Sequence, residues 1–204
     1  MMLVAYKRFI DLIDDTKNVE VLYRYISNKV VVPIDTSDLL RWQWVQCVSA
    51  FDKLVHDLVK IGMIEIFNGT RETTAKYESF IIDLNTYQQM INNPDIACNI
   101  FEKRIILCNG YKAFQDPDKV ADALSYIWDE KDKWIKISSN MRMHLNKDDC
   151  RTMLRNIVIR RNQIVHEGDY TDILLKRQDI LDEDVESVRN FIIDLGKSIY
   201  NCVK

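Results

Sequence analysis

The sequence predicts an all-α fold, a bundle of helices, and three observations predict it. Glycine and proline are scarce: five glycines and three prolines in 204 residues, about 4% where a soluble chain typically carries roughly 12%. These residues punctuate hairpins and tight turns, so a β-sandwich or barrel is excluded. Apolar residues recur at three- and four-residue spacing through most of the chain, the period of an amphipathic helix. The apolar fraction of 47% and charged fraction of 29% are those of a globular protein. The length predicts one domain over residues 1–204, with 1–34 as an N-terminal helical extension. A chain of this size buries a full core without metals or disulfides.

Element by element, Met1–Asp15 and Val19–Asn28 read as helices. Val30 to Ile34 reads as an extended connector, because three β-branched residues precede Pro33 and proline disfavours helix just ahead of it. Asp35-Thr36-Ser37-Asp38 offers N-cap candidates. Leu39–Phe67 is the most apolar segment. It reads as the central helix of the bundle, or as two helices broken near Gly62. Tyr77–Asn92 ends before Asn93-Pro94, and Asp95–Cys108 is stopped by Asn109-Gly110. Asp116-Pro117 starts a helix to Trp128, with proline suited to the first turn. Lys131–Leu145 is weakly patterned. Lys147-Asp148-Asp149 opens a strongly patterned helix from Cys150 to His166, with Gly168 placed to cap it. Asp182-Glu183-Asp184 opens the last, Val185–Cys202, with acids at the positive end of its dipole.

Composition also excludes functions. No stretch holds the clustered glycines of a Rossmann or P-loop phosphate cradle. With a formal net charge of -3 and a pI near 5.7, any nucleic-acid contact must be a local basic patch. No pair of helices joined by a short turn presents a basic recognition surface, which argues against a helix-turn-helix protein. The five cysteines are odd in number and widely spaced with no CxxC, arguing against a disulfide framework or a zinc site. No metal or cofactor is expected. Lys7, Arg8 and Asp11 make the N-terminus an amphipathic helix and not a signal peptide. No uncharged apolar run approaches the roughly 20 residues of a membrane span. A soluble, cytoplasmic protein without a membrane partner is expected.

The Cys150–His166 helix carries an anomaly. At about 100° per residue, Cys150, Leu154, Ile157, Val158, Ile164 and Val165 form one apolar stripe, and Arg161 falls in its middle. A guanidinium on a core-facing seam is costly unless paired or open to a wet cleft or interface. Arg161 therefore either snorkels or pairs structurally, or belongs to a site. Arg151, Arg155, Arg160 and Arg161 lie together with no acid among them, which reads as a phosphate-contacting patch or as a solvated face paired with acidic neighbours. His166 closes the helix, and histidine can act as base and then acid in one turnover; it also suits a helix C-terminus as a dipole partner. His56, near Asp52, reads as a packed structural group, and His144 has no evident role.

Residues 161 and 166 diverge by about 140° on a regular helix. Asn162 and His166 share a face, continued by Ile159 and Arg155. A site using both Arg161 and His166 needs a distorted helix end, long side-chain reach, or a second copy of the helix. The last predicts a twofold dimer with a composite cleft.

The run Arg161-Asn162-Gln163-Ile164-Val165-His166-Glu167-Gly168-Asp169 resembles the R-x(4-6)-H signature of the HEPN superfamily. The usual form has a polar residue, often Asn, directly after the arginine, and Asn162 fills that place. The HEGD ending, the acidic-headed final helix and the Phe114-Gln115-Asp116-Pro117-Asp118 helix start are most similar to the RiboL-PSP-HEPN group, over Asp35 to Lys204. The resemblance implies a HEPN-like up-and-down bundle dimerising through the helices near the motif. It implies a metal-independent endoribonuclease of a toxin or antiviral defence system, with an antitoxin or other defence protein as a further partner. Arg161 and His166 would be the catalytic pair, supported by Asn162, with Arg151, Arg155 and Arg160 on RNA. Arg160 also satisfies the looser spacing. The alternative is a non-catalytic HEPN-like binding or dimerisation module regulating a partner protein.

Overall fold

The computed structural model describes residues 1–30, 35–170 and 176–204. Among them are nine α-helices, one 3-10 turn and no strand, with a single isolated bridge between Tyr170 and Arg177. Residues 31–34 of the expected extended connector lie outside the described residues.

The helix α2 (Ser37–Phe67) is the axle. Its apolar residues occupy most of its circumference, the pattern of a helix enclosed by others; Cys47, Val48, Phe51, Val55, Leu58 and Met63 have no exposed surface. It runs unbroken through Gly62, where a side chain would collide with Ile127. One glycine costs a helix about 1 kcal/mol, which tertiary packing overrides here. On one side α2 meets α1 (Met2–Lys29). This is one helix, not the two read from the sequence, because Thr16-Lys17-Asn18 holds no glycine or proline to stop it. The buried Thr16 hydroxyl instead donates to the Ile13 carbonyl at 2.6 Å and accepts from Arg189 Nε at 3.1 Å. Met2, Ala5, Phe9 and Ile13 of α1 join the same core as α2.

The expected Tyr77–Asn92 helix is two, α3 (Ala75–Glu78) and α4 (Leu84–Asn92). Asp83 starts the second by accepting from the Thr86 N–H at 2.8 Å. A 3-10 turn, Pro94–Ile96, then leads into α5 (Ala97–Asn109). In α6 (Pro117–Leu124) Asp116 caps and Pro117 takes the first position as expected, but the helix stops short of Trp128. Similarly α7 covers only Lys133–Ser139 of the weakly patterned segment. The chain beyond it turns where the Asp194 carboxylate accepts the Arg142 and Met143 N–H groups at 2.8 and 3.0 Å.

The last two helices are the ones the sequence marks most clearly. Asn146 caps α8 (Lys147–His166), accepting from the N–H groups of Asp148 and Asp149, both at 2.9 Å. In α9 (Asp182–Val203) Asp184 accepts the Leu181 N–H at 3.0 Å. The Trp44 indole of α2 donates to the Ile157 carbonyl at 3.0 Å, pinning α8 to the axle.

Close approach of α9 to α1 and α2 depends on Gly196, where a Cβ would sit 2.6 Å from Phe9 Cε1 and 3.0 Å from Leu54 Cδ2. Overpacking costs about 1–3 kcal/mol and outweighs the ~1 kcal/mol of helix propensity that alanine gains. Gly196→Ala therefore lowers the urea midpoint. In a Phe9→Leu background the same change costs less, and an equal cost in both backgrounds would show that α1 does not pack at this position.

Candidate functional site

At its C-terminal end α8 departs from the expected pattern. Its apolar stripe buries Cys150, Leu154 and Ile157, but beyond Val158 the helix leaves the core: Ile164 is half-buried and Val165 is 45% exposed. Arg161 therefore does not interrupt a core-facing seam. It sits half-buried where the seam runs out. Its Nη1 donates to Asn162 Oδ1 at 3.1 Å, and its Nε is buried without a hydrogen-bond partner. Among the described residues no carboxylate lies within ion-pair distance of it. His166 and Asn162 are exposed on the neighbouring flank, four residues apart on one face. The Arg161 side chain thus reaches Asn162, which shares a face with His166.

The helix ends in a tight reversal. Gly168 and Asp169 both have positive φ, +62° and +66°, a region open to glycine and tolerated by aspartate better than by most residues. The Glu167 and Asp169 N–H groups both close on the Gln163 carbonyl, at 2.9 and 3.0 Å. Gly168 thus caps the helix as its position predicts. The reversal drives Asp169, which has no exposed surface, under the end of α8. There its Oδ2 accepts from Arg41 Nε of α2 at 2.7 Å and from Arg160 Nη2 at 2.9 Å. Arg41 also donates to the Gln178 carbonyl at 2.7 Å, and Arg160 to the Gln178 side chain and the Asp179 carbonyl. Burial pulls the Arg160 pKa below its ordinary value, and the Asp169 carboxylate opposes that shift.

The four arginines do not form an unpaired basic face. Arg151 meets Asp118 at 2.6 Å, and Arg155 meets Asp118 and Asp116 at 3.4 and 3.8 Å, from the N-terminal turn of α6. Arg160 is committed to Asp169. The segment is free of acids in sequence but not in space. His56 packs as expected, 4.3 Å from the Phe114 ring with Nε2 3.0 Å from the Lys112 carbonyl. The cysteines are all free, and burial pushes the thiols of Cys47 and Cys150 up to about 11 and about 12, making them poor nucleophiles.

Sequence reasoning missed Arg41, Asp169 and Gln178. A signal existed for Arg41, a guanidinium inside the most apolar helix, which must find a buried acceptor. Removing the Asp169 charge leaves the buried Arg41 only its longer 3.6 Å pair with Asp38 and takes the one contacting carboxylate from the half-buried Arg160, a class of change that costs up to about 3–5 kcal/mol. Asp169→Asn is expected to lower the thermal midpoint accordingly. A loss below 1 kcal/mol, the scale of exposed pairs, would mean that Asp169 is not the buried tie described here.

The comparisons with known proteins add to this geometry. Neither the curated proteins nor the solved structures give a match. A family model, RiboL-PSP-HEPN, matches residues 10–204, starting within α1 and so upstream of the Asp35 start implied by the motif-bearing part. Membership points to nuclease-type or RNA-related function. With a match over nearly the whole chain and Arg161, Asn162 and His166 standing on α8, the chain belongs to the RiboL-PSP-HEPN family.

Proposed function

We propose that the protein is a metal-independent endoribonuclease of the cytoplasm, acting as a homodimer in a toxin or defence system. One observation carries the reading: Arg161, without a carboxylate partner among the described residues, is hydrogen-bonded to Asn162 on the side of α8 that exposes His166. This supports Arg161 over Arg160, whose guanidinium is held by Asp169.

The chemistry needs little else, because RNA carries its own nucleophile. The 2′-oxygen attacks phosphorus as the P–O5′ bond breaks, giving a 2′,3′-cyclic phosphate and a 5′-hydroxyl. His166 takes the 2′-OH proton or protonates the leaving O5′, and water or the His166 of the second copy makes the other transfer. Arg161 stabilises the charge building on the phosphorane with its forked, permanently charged donors, and Asn162 orients that fork. Arg151 and Arg155 lie on the same flank as Asn162 and His166. Their pairs with Asp116 and Asp118 are partly exposed, of a kind worth about 0–1 kcal/mol, so an RNA phosphate can displace them. The second copy would supply the other wall of the cleft. The exposed Ile159 and Val165 beside the motif support that arrangement.

A second reading, the non-catalytic binding module, is favoured by the ion pairing of Arg151, Arg155 and Arg160, which leaves little free positive charge. Incubation with RNA in EDTA separates the two. Wild type is expected to cleave, and His166→Ala to lose about 10²–10⁴-fold in rate, the scale of general acid–base catalysis; Arg161→Ala falls with it. Equal cleavage by all three, or dependence on added metal, would refute the mechanism, and no cleavage by any of them selects the binding module. Light scattering is expected to show a dimer at micromolar concentration; a strict monomer removes the composite cleft.

A further inference from the structure

On the flank of α8 away from Asn162 and His166 lies an open groove of about 590 Å³ between α8 and α9, within the range of about 300–1,000 Å³ usual for binding sites. Its floor is apolar: Trp44 and Ile157 with Ile180 and Val188. Trp44 has its indole N–H satisfied by the Ile157 carbonyl, so it offers a ring and no unmet polar group. The rim carries three carboxylates, Asp149, Asp179 and Asp184, on separate elements. Arg160 also lines the groove, but it shares the Asp169 carboxylate with Arg41 and offsets only part of the rim charge. Three carboxylates against one shared guanidinium leave the rim net negative around an apolar floor.

We propose that this groove is a docking site for a basic, amphipathic segment of a partner protein, one that seats a large apolar side chain on Trp44 and places lysine or arginine against the acidic rim. Charge selects this occupant. Phosphate-bearing RNA is repelled by three carboxylates, and an acidic peptide is repelled for the same reason. A compact inorganic cation gains nothing from the apolar floor. Asp149 and Asp184 each have one carboxylate oxygen engaged, with Asn146 and with the Leu181 N–H, and retain further acceptor capacity. The site is distinct from the motif flank, and Arg160 joins the two: it walls the groove and holds the carboxylate behind the His166 turn. The proposal does not rest on the ribonuclease reading, because its test reads binding and not cleavage.

The probe is a labelled helical peptide of leucine and lysine, titrated into the full-length protein by fluorescence anisotropy, beside a leucine–glutamate and a serine–lysine version. The leucine–lysine peptide is expected to bind, and to weaken several-fold as salt rises. Thr152→Trp, an exposed position lining the groove, fills it and is expected to cost at least about tenfold in affinity. Asp149→Lys with Asp179→Lys, which spares the Asp184 cap, is expected to switch the preference to the leucine–glutamate peptide; a melt for each variant checks that it folds. The proposal is overturned if neither variant alters binding, if the serine–lysine or leucine–glutamate peptide binds wild type equally well, or if single-stranded RNA displaces the peptide. It is also overturned if Thr152→Trp converts a wild-type dimer to a monomer, since the occupant is then a second copy.

Discussion

One buried carboxylate fixes the geometry around the end of α8. Asp169 has no exposed surface and accepts from two guanidiniums, Arg41 of the central helix and Arg160 of α8. Two buried charges and a third half-buried one are tolerable because the remaining guanidinium donors find acceptors in Ser37, the Gln178 carbonyl and side chain, and the Asp179 carbonyl. Meeting both arginines forces the chain through two consecutive positive-φ residues immediately after the helix. That reversal decides where α8 stops and hence where His166 stands. The same tie withdraws Arg160 from solvent and leaves Arg161 as the arginine at the helix end with no carboxylate partner among the described residues. A structural ion pair thus distinguishes two adjacent arginines that both fall within the family spacing.

The core seam of α8 also divides its surface chemically. On a wheel of about 100° per residue, Arg151, Arg155, Asn162 and His166 lie to one side of the Cys150–Leu154–Ile157 seam. Asp149, Thr152, Met153, Asn156 and Arg160 lie to the other. The first flank is basic, compensated by weak pairs to α6 that an incoming phosphate can replace. The second faces the acidic rim of the α8–α9 groove. A net charge of -3 therefore hides a helix whose two sides would attract opposite partners, and the overall pI speaks to neither.

Much of this was legible in the sequence, and what was not has a common cause. The central helix, α8 and α9 were readable because each combines a sustained 3.6-residue period with an explicit start: Asp35 to Asp38, Lys147-Asp148-Asp149, and Asp182 to Asp184. The motif residues Arg161, Asn162 and His166 were readable as a spacing. Where reading failed, a distant contact had overridden local pattern. Thr16 holds α1 together through Arg189, Asp194 turns the chain at Arg142, and Asp169 neutralises Arg41 from 128 residues away. Periodicity reports which face of a helix is buried but not which partner a buried charge will find. For the same reason the acid-free run of arginines looked more basic than it is, since Asp116, Asp118 and Asp169 arrive from elsewhere in the chain.

The proposed second copy also has a physical motive. Beyond Val158 the last two turns of α8 leave the core, yet they retain Ile159 and Val165, 50% and 45% exposed. A helix end that only needed solubility would carry polar residues there. Water at an open helix end would also weaken the electrostatic contribution of Arg161, because a guanidinium stabilises a developing charge best where solvent is excluded. Covering Ile159 and Val165 with the same surface of another copy removes apolar area from water and shields Arg161 in a single step. The features that make the lone α8 end look unfinished are those that a twofold interface would complete.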